Sequence, residues 1–384
     1  MRKVLIIGGG IGGLAVARAL QLAGIETALF ERAPELHEVG AGLSLWSNAV
    51  AALARFGLRD AVMAASDPIE RAITMSAGGE VLSDVSLTEV ARELGEPSIC
   101  AHRADLQETL AGALAPGLLR LGADCVGFRE DGDGVTARFA DGSSERGSVL
   151  IGADGIRSIV RAELYGAEAP RYAGYFAFRG IARCDPHDLP AGTGIFGLGS
   201  GAQAGFIRCG KGRVYWFATI NAPEGTQVPP GSRKQRALEC FGRWFRLAAA
   251  TIEATAEDEL LVNDIVDRPV ARRWGRGRVT LLGDAAHPTT PNLGQGACQA
   301  LEDAVVLADS LVRWGIGAEA LRRYEEKRRA RTAMIQRQSW WLGKLFQLES
   351  ATLIRIRDGF IRTSLGQRQT TSSLRAVLRH ELPA

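Results

Sequence analysis

The sequence predicts an α/β protein that combines a doubly wound parallel sheet with an inserted antiparallel sheet and a set of C-terminal helices. Three observations predict this class. A strand, a glycine-rich turn and a helix open the chain, and a second glycine-rich turn follows an apolar run near residue 283. Between them lies a stretch rich in Gly and aromatic residues, whose apolar side chains alternate with period two.

Length and composition exclude several classes of protein. With 384 residues, 46% of them hydrophobic and 23% charged, the chain is long enough for two domains and has a globular composition. The formal net charge of +3, from 46 basic and 43 acidic residues, gives no electrostatic case for nucleic acid as a partner. No segment approaches about 18 consecutive apolar residues, so we expect no integral membrane segment. The first residues do not form a secretory signal either.

Cysteine and histidine usage favours a metal-free protein of a reducing compartment. The six cysteines are scattered without a Cys-x-x-Cys pair, which predicts neither a disulfide framework nor a zinc site and fits the cytoplasm. His37, His187 and His380 lack a ligand-like partner in the sequence, so we expect no metal. We interpret His287 as a packed or capping residue.

The first thirty residues predict one βαβ unit. Residues 3–7 are an apolar run, residues 14–23 are rich in Ala and Leu, and residues 26–30 form a second strand-like run. Parallel strands joined by a helix require a right-handed crossover, so this unit opens a doubly wound sheet.

The remaining segments predict an interrupted first domain. Helical patterns cover residues 50–62 and 105–115, with Asp105 as a candidate N-cap, and residues 296–314 form another helix. Period-two runs between residues 172 and 221 predict an antiparallel sheet. We therefore predict a discontinuous nucleotide-binding domain (1–70, 100–168 and 275–316), a substrate-binding sheet domain (71–99 and 169–274) and C-terminal helices (317–384).

The first glycine cluster, residues 8–13, contains the pattern Gly-x-Gly-x-x-Gly. In a Rossmann-type domain, Gly8 allows the tight turn, Gly10 lets a pyrophosphate approach the backbone, and Gly13 lets helix and strand pack closely. The amino terminus of the helix then offers N–H groups to the phosphates. Glu31, at the end of the second strand, is placed to accept hydrogen bonds from a ribose. Together these residues predict an adenine dinucleotide without separating NAD from FAD.

The second cluster, residues 283–297, favours a flavin. A strand that ends in Gly283-Asp284 points a carboxylate at polyol hydroxyls, and a proline-bounded loop leads into a helix at Gly296, whose N–H groups face an electron-rich acceptor. The ribityl chain and the N1–C2=O2 edge of a reduced flavin are such a pair. The structural alternative is a helix cap at Asp284 followed by an ordinary turn.

Three motifs resemble the fingerprints of single-component (group A) FAD-dependent monooxygenases, the class related to para-hydroxybenzoate hydroxylase. They are residues 8–13, the Asp154-Gly155 pair within residues 152–158, and residues 283–303. The resemblance runs over about residues 1–310. Together with the two glycine clusters, the resemblance implies that the cofactor-binding residues are Gly8, Gly10, Gly12, Gly13, Glu31, Arg32, Ser44, Arg103, Val126, Asp154, Gly283, Asp284, Pro291, Gly294, Gln295, Gly296 and Ala297.

The resemblance also implies individual roles. Arg32 would join Glu31 at the adenosine ribose, and Arg103 would lie beside the flavin. Val126 would meet adenine through its backbone. Asp154 belongs to a motif that the family associates with both FAD and NAD(P)H, with a turn cap as its structural alternative. Cys298 is interpreted as a small residue for close packing.

The implied reaction is a monooxygenation. NADH or NADPH would reduce FAD, O2 would form a C4a-hydroperoxyflavin, and one oxygen atom would enter an aromatic or heteroaromatic small molecule. Epoxidation of an alkene or isoprenoid and a non-oxygenating reductase remain open, with a non-enzymatic FAD-binding protein a further alternative. The choice between NADH and NADPH, and between monomer and homodimer, also remains open.

The inserted sheet supplies the candidate substrate pocket. Its candidates are Phe176, Phe178, Arg179, Gln203, Phe206, Tyr215 and Phe217, of which alternation lets about half face inward. Arg179 and Tyr215 are the candidate catalytic residues. Tyr215 resembles a substrate-site tyrosine of the urate hydroxylase branch, but Gln203 stands where that branch has an arginine, which speaks against urate itself.

Overall fold

The computed structural model describes residues 3–36, 41–379 and 381–383. The sequence alternates between short apolar runs and amphipathic segments, and the described residues form both strands and helices accordingly. The strands, in chain order, are β1 (Val4–Ile7), β2 (Thr27–Phe30), β3 (Gly42–Leu45), β4 (Asp67–Pro68), β5 (Arg71–Ser76), β6 (Val81–Ser86), β7 (Ile99–His102), β8 (Leu119–Arg120), β9 (Cys125–Asp131), β10 (Gly134–Phe139), β11 (Ser144–Gly147), β12 (Val149–Gly152), β13 (Arg171–Arg183), β14 (Thr193–Leu198), β15 (Ala202–Arg208), β16 (Arg213–Asn221), β17 (Leu261–Asp267) and β18 (Val279–Leu281).

The α-helices pack on both sides of the sheets, and three short 3-10 turns (257–259, 283–285 and 291–293) join them. In chain order the helices are α1 (Ile11–Leu22), α2 (Ser47–Arg55), α3 (Arg59–Ala64), α4 (Thr88–Leu94), α5 (Arg103–Gly112), α6 (Ile159–Tyr165), α7 (Arg233–Phe241), α8 (Arg246–Glu253), α9 (Gly296–Trp314), α10 (Ala318–Phe346), α11 (Ala351–Arg362) and α12 (Ser364–Leu378).

A five-stranded parallel sheet of order β18-β12-β1-β2-β8 forms the core of the nucleotide-binding part. Strands β1, β12 and β18 are buried throughout, as expected for a parallel sheet that is covered on both faces. Ile7 pairs with Gly152, and Gly152 pairs with Leu281. The three strands therefore end at one edge, which brings the turns after them, with Gly8, Asp154 and Gly283, side by side. The predicted doubly wound core is confirmed.

A seven-stranded sheet of order β17-β13-β16-β15-β14-β5-β6 forms the inserted part. Its strands pair antiparallel, except that β5 runs parallel to β14. One face of this sheet carries Phe178, Phe206 and Trp216 into a buried core with residues of α7 and α8. The antiparallel sheet predicted between residues 172 and 221 is confirmed, whereas the exact domain limits stay a prediction.

Two helix predictions were wrong in detail. The pattern over residues 50–62 is not one helix, because the chain turns at Gly57, whose φ of +70° ends α2 before α3 begins. Asp105 is not an N-cap: α5 begins at Arg103, and Asp105 in its first turn instead binds Arg213 at 2.5 Å and Lys211 at 3.0 Å. Helical periodicity alone does not show either feature: the turn at Gly57 in the first case, and the ion pairs of Asp105 in the second.

The C-terminal helices wrap around the two sheets. Helix α10 packs along α9, while α11 and α12 pack against each other and against β6. In the part of the chain that the structure describes, no helix has the length and apolar content needed to cross a bilayer.

Candidate functional site

The glycine turn after β1 combines close packing with one open position. A Cβ on Gly8, whose φ is +106°, would lie 2.4 Å from the Ala153 carbonyl oxygen, and a Cβ on Gly13 would lie 1.8 Å from the Gly8 carbonyl oxygen. At Gly10, by contrast, a Cβ would meet no atom within 4 Å. Gly10 also precedes α1 without a side-chain cap, so the first N–H groups of the helix face this space. The turn is shaped to admit a phosphate at Gly10.

Gly12 connects the first glycine turn to the third motif. A Cβ there would lie 2.7 Å from Leu282 Cδ2, in the residue just before Gly283. The two turns, distant in sequence, therefore border one cleft.

Glu31 lies at the edge of the same turn, next to Gly9. Its carboxylate accepts the Gly9 N–H at 2.6 Å and the Ala33 N–H at 2.9 Å, which fixes its orientation and leaves further lone pairs for a ribose. The neighbouring Arg32 is exposed, and Val126, near the start of β9, is half-exposed. A contact of Glu31, Arg32 and Val126 with the adenosine end of a dinucleotide stays a prediction.

Asp154 acts as a helix cap in this structure. Its carboxylate accepts the Ser158 hydroxyl at 2.5 Å and the Ile159 N–H at 2.7 Å, at the start of α6, and Ser158 in turn accepts the Arg161 N–H at 2.9 Å. Burial raises the pKa of the Asp154 carboxyl. These contacts match the capping alternative, and a role of Asp154 at a cofactor stays a prediction.

The third motif presents Asp284 to the cleft. Gly283, with φ +61°, makes the turn after β18, and its N–H donates to Asp303 Oδ2 at 3.0 Å. Asp284 is exposed to solvent in the open cleft. Partial desolvation by the protein around its carboxyl raises the pKa of Asp284, and the charges of His287 and Arg103 oppose this shift.

The loop before α9 forms the second half of the cleft. Gly294 has φ +63°, and Gln295 precedes α9 without capping it by its side chain. A Cβ on Gly296 would have its nearest neighbour at 3.9 Å, so space remains in front of the first N–H groups of α9. Behind Gly294 lies the indole of Trp46, whose Nε1 is buried and has no hydrogen-bond partner among the described residues.

Ser44 and Cys298 close the back of this loop. Cys298 is buried, with its Sγ 3.6 Å from the Ser44 carbonyl oxygen and 3.5 Å from the Gly294 carbonyl oxygen. Burial raises the pKa of the Cys298 thiol to about 12, so the thiol stays protonated at neutral pH. This environment agrees with a packing role.

Sequence reasoning missed the role of Asn292 within the loop. Its Nδ2 donates to the Tyr175 hydroxyl at 2.8 Å and to the Ser339 carbonyl oxygen at 3.2 Å, while its Oδ1 accepts Gln203 Nε2 at 3.0 Å. Asn292 therefore ties the cleft loop to β13, to β15 and to α10. No local pattern signals these contacts, because their partners are far apart in sequence.

A buried charge network behind the cleft was also missed. Arg328 of α10 binds Asp303 at 2.6 Å and Glu302 at 2.5 Å, and Arg331 binds Glu302 at 2.7 Å. His287 lies 2.5 Å from Asp303 and is buried, which confirms its interpretation as a packed residue. Although burial opposes it, the charges of His287 and Arg328 lower the pKa of the Asp303 carboxyl. The network anchors the helix that begins at the cleft loop.

Only one face of the seven-stranded sheet looks toward the cleft. Arg179 pairs with Phe217, and both lie on the face opposite to the Phe178 core. Phe176, Phe178 and Phe206 belong to that core, so as pocket candidates they were wrong. Gln203, like Phe217, lies on the cleft face, since the registers alternate.

Tyr215 lies where the sheet meets the cleft. Its ring lies against Gly42 of β3, where a Cβ would approach Tyr215 Cγ to 2.3 Å. Burial raises the pKa of the Tyr215 phenol to about 12, with the nearby cations Arg179 and Arg103 opposing the shift. Burial lowers the pKa of Arg103, and the charge of Asp284 opposes that shift.

An aromatic row continues from Tyr215. The Tyr215 and Phe217 rings have centroids 6.1 Å apart, and Phe217 and Phe196 have centroids 6.4 Å apart. Gly205 lies beneath this row, because a Cβ there would approach Phe217 Cε1 to 2.4 Å. All three rings are only half-buried, so they offer a flat apolar surface to a ligand.

The sequence predicts no metal ligand among the other histidines named above. His187 is exposed, and His37 and His380 lie outside the described residues. Among residues 3–36, 41–379 and 381–383, no group of three or more His, Cys, Asp or Glu side chains could hold a metal ion.

A dinucleotide cleft with two glycine turns, facing an aromatic sheet, defines a flavin-dependent oxidoreductase with a separate substrate surface. The buried unpaired indole N–H, the open position at Gly10 and the free amino terminus of α9 all fit FAD. The chain belongs to the FAD-dependent monooxygenases of the single-component class: a family model described as a FAD binding domain matches residues 1–339.

Comparison with known proteins agrees with this class. The chain is 42% identical over 360 residues to the aurachin C monooxygenase/isomerase of Stigmatella aurantiaca, covering 94% of this chain and 93% of the relative. It is 37% identical over 369 residues to the 3-amino-4-hydroxybenzoate 2-monooxygenase of Streptomyces cremeus, covering 94% and 92%. The crystal structure of Klebsiella pneumoniae HpxO with FAD and uric acid is similar, with a TM-score of 0.92, 30% identity and coverage of 98% and 96%.

Proposed function

We propose that this monooxygenase uses NADH or NADPH and O2 to insert one oxygen atom into an aromatic or heteroaromatic small molecule. The observation that carries the proposal is the half-buried aromatic row of Phe196, Phe217 and Tyr215, which faces the FAD cleft. The names of its relatives support it, since they refer to aurachin C, to an aminohydroxybenzoate and to uric acid. Gln203 stands where the urate hydroxylase branch has an arginine, and this difference argues against uric acid as the substrate of this chain.

Different residues along the cleft would bind different chemical groups of FAD. The N–H groups of α1 beyond Gly10 would hold the pyrophosphate, Glu31 the ribose and Asp284 the ribityl chain. The N–H groups at Gly296 and Ala297 would stabilise negative charge on the flavin. When bound, FAD supplies the redox chemistry that activates O2.

The protein contributes position, polarity and exclusion of water. Tyr215 stays a neutral phenol at neutral pH, so its O–H can donate to an oxygen or nitrogen of the substrate. Arg179 places a positive charge beside it, which favours a substrate with an ionised or phenolic oxygen. Phe217 and Phe196 would cover the ring and keep water from the reacting atoms.

Gln203 limits the polar recognition of the substrate. Its amide nitrogen is already engaged by Asn292 at 3.0 Å, and the side chain is buried. A substrate would therefore find apolar surface and the Arg179–Tyr215 pair on this face, rather than a guanidinium at position 203. We infer a substrate with one polar edge and an otherwise apolar ring.

The test is a substrate panel on FAD-loaded protein. We would measure NADH and NADPH oxidation, O2 consumption and product mass for phenols, hydroxybenzoates, hydroxyquinolines, purines and alkenes. We expect one aromatic class to accelerate NAD(P)H oxidation and to gain one oxygen atom. An alkene that forms an epoxide, with every aromatic compound inert, would contradict the proposal, and so would turnover of an aromatic compound without oxygen gain.

We also propose the cytoplasm as the compartment. All six cysteines are free in the structure, and four of them are buried. Free thiols of this kind fit a reducing compartment.

A further inference from the structure

Helix α11 exposes a row of large apolar side chains along one side. Leu353, Ile356 and Phe360, spaced i, i+3 and i+7, share one face and are 48%, 63% and 48% exposed. Arg357 lies beside this row, one turn from Leu353 and from Phe360, and is buried, while Ile354 and Ile361 on the same inward side are half-buried. An exposed apolar helix face of this length differs from the scattered single side chains found on any protein surface.

Arg357 attaches α11 to the end of α10. Its Nη1 lies 3.4 Å from the Leu345 carbonyl oxygen and 3.3 Å from that of Phe346, the last residue of α10, and its Nε donates to Asp358 at 2.8 Å. A cation at a helix carboxyl terminus is stabilised by the partial negative charge there. With α11 held in this way, Leu353, Ile356 and Phe360 remain exposed.

The helix ends that flank α11 in the chain carry further exposed apolar side chains. Trp341 and Leu345, one turn apart near the end of α10, are 70% and 42% exposed, and Leu365 in the first turn of α12 is 66% exposed. We call these residues, with the outer face of α11, the α11 surface. It is defined by Trp341, Leu345, Leu353, Ile356, Phe360 and Leu365.

The charges around the α11 surface are mostly positive. Its exposed cations are Arg337, Lys344, Arg355, Arg362 and Arg368, against the exposed acid Glu349. Within the described residues, Arg337, Arg355 and Arg368 form no ion pair, whereas Arg362 pairs with Glu80. Three arginines therefore remain for an external anion.

We propose that the α11 surface docks onto an anionic lipid bilayer. The helix would lie in the interface, with its apolar side chains at the acyl boundary and the arginines on lipid phosphates. A second copy of the chain fits less well, because a two-fold interface would bring two patches of the same positive charge together. The protein would lie on the membrane, since none of its described helices can span one.

The α11 surface adjoins the substrate face. Helix α12, which packs on α11, carries Leu374 against the apolar cluster that includes Phe196 and Tyr215. A substrate dissolved in lipid would meet the protein on this side. This last step rests on the proposed function, whereas the docking itself does not.

The test is co-sedimentation of FAD-loaded protein with vesicles of phosphatidylcholine alone, or of phosphatidylcholine mixed with phosphatidylglycerol. We expect binding to the mixed vesicles and weaker binding at high salt. Ile356→Ser combined with Phe360→Ser should lower the partition constant at least about tenfold, since each side chain loses apolar contact with lipid. Arg355→Glu combined with Arg368→Glu should abolish the preference for anionic vesicles.

Val312→Ser is the matched control, because Val312 is 60% exposed on α9, outside the α11 surface. It should bind vesicles like the unchanged protein, and every variant should keep its flavin absorbance as proof of folding. Absence of vesicle binding in the unchanged protein, or an equal loss in Val312→Ser, would overturn the proposal. So would a dimer in sedimentation velocity that the serine pair dissociates, because a second copy would then cover the surface. Failure of the substrate panel would leave this result intact.

Discussion

Gln203 and Asn292 are joined by a hydrogen bond of 3.0 Å that connects the inserted sheet to the loop in front of α9. The same Asn292 amide reaches Tyr175 on β13 and Ser339 on α10. Strands β13 and β15 and helix α10, which are far apart in the sequence, therefore all contact one short loop. Since that loop precedes the N–H groups at Gly296, its position controls how the flavin ring would be bound.

Gly343 on α10 allows this loop to approach the helix. A Cβ on Gly343 would lie 2.6 Å from Asn292 Nδ2, so Gly343→Ala should displace the amide and weaken FAD binding about tenfold, equivalent to roughly 1.4 kcal/mol. FAD titration followed by flavin fluorescence measures the effect. Gly359→Ala is the matched control, because a Cβ there meets no atom within 4 Å. The control should bind FAD normally and gain up to about 1 kcal/mol of stability from helix propensity. Normal FAD binding by Gly343→Ala would contradict the role of the loop.

The glycines of the first turn should separate folding from cofactor binding. Gly10→Ala places its Cβ in open space, so the protein should fold with unchanged stability and yet bind FAD 10- to 100-fold more weakly, roughly 1.4 to 2.7 kcal/mol. Gly13→Ala brings a Cβ to 1.8 Å from the Gly8 carbonyl oxygen and should prevent stable folding. Thermal unfolding of the FAD-free protein and FAD titration test both expectations. If Gly10→Ala retains FAD like the unchanged protein, the phosphate does not occupy this position.

Phe178 and Phe217 lie on opposite faces of adjacent strands and should respond differently to truncation. Phe178→Ala removes a fully buried ring and should lower the free energy of unfolding by about 3 to 5 kcal/mol. Phe217→Ala should cost less stability, because the ring is only half-buried, but should raise KM and increase the fraction of NAD(P)H oxidised without product. Denaturant unfolding and the ratio of product to NAD(P)H measure the two effects. Unchanged KM and coupling in Phe217→Ala would remove Phe217 from the substrate surface.

The raised pKa of Tyr215 predicts a pH dependence of stability. The unfolded chain releases the tyrosine proton near pH 10, whereas burial raises the pKa of Tyr215 in the folded protein to about 12. Between these values the folded state binds more protons, so stability falls as pH rises. Relative to Tyr215→Phe, the unchanged protein should lose up to about 2 kcal/mol of unfolding free energy across this window.

Urea unfolding at a series of alkaline pH values tests this prediction. Tyr165→Phe is the comparison: burial raises the pKa of Tyr165 too, but this side chain is 38% exposed, so its variant should show a smaller pH-dependent difference from the unchanged protein. A difference between Tyr215→Phe and the unchanged protein that does not vary with pH would show that the phenol titrates alike in both states.

Local patterns in the sequence predicted the elements that build the cofactor cleft. The boundaries of α9, Gly296 to Trp314, were predicted from periodicity and the preceding glycine, and the first βαβ unit from apolar runs around residues 8–13. These features depend on hydrogen bonds and side-chain spacing within a few residues, which the sequence carries directly.

Tertiary structure alone decided which groups meet. Period-two alternation assigns Phe178 and Phe217 to opposite faces, but both faces of the sheet are apolar, so only packing against α7 and α8 shows which face remains for the substrate. Contacts such as Gln203 with Asn292, or Arg328 with Asp303, join residues far apart in the chain. The free energy of these contacts depends on burial and geometry that exist only once the sheets and helices have packed together. For that reason no sequence pattern predicts them.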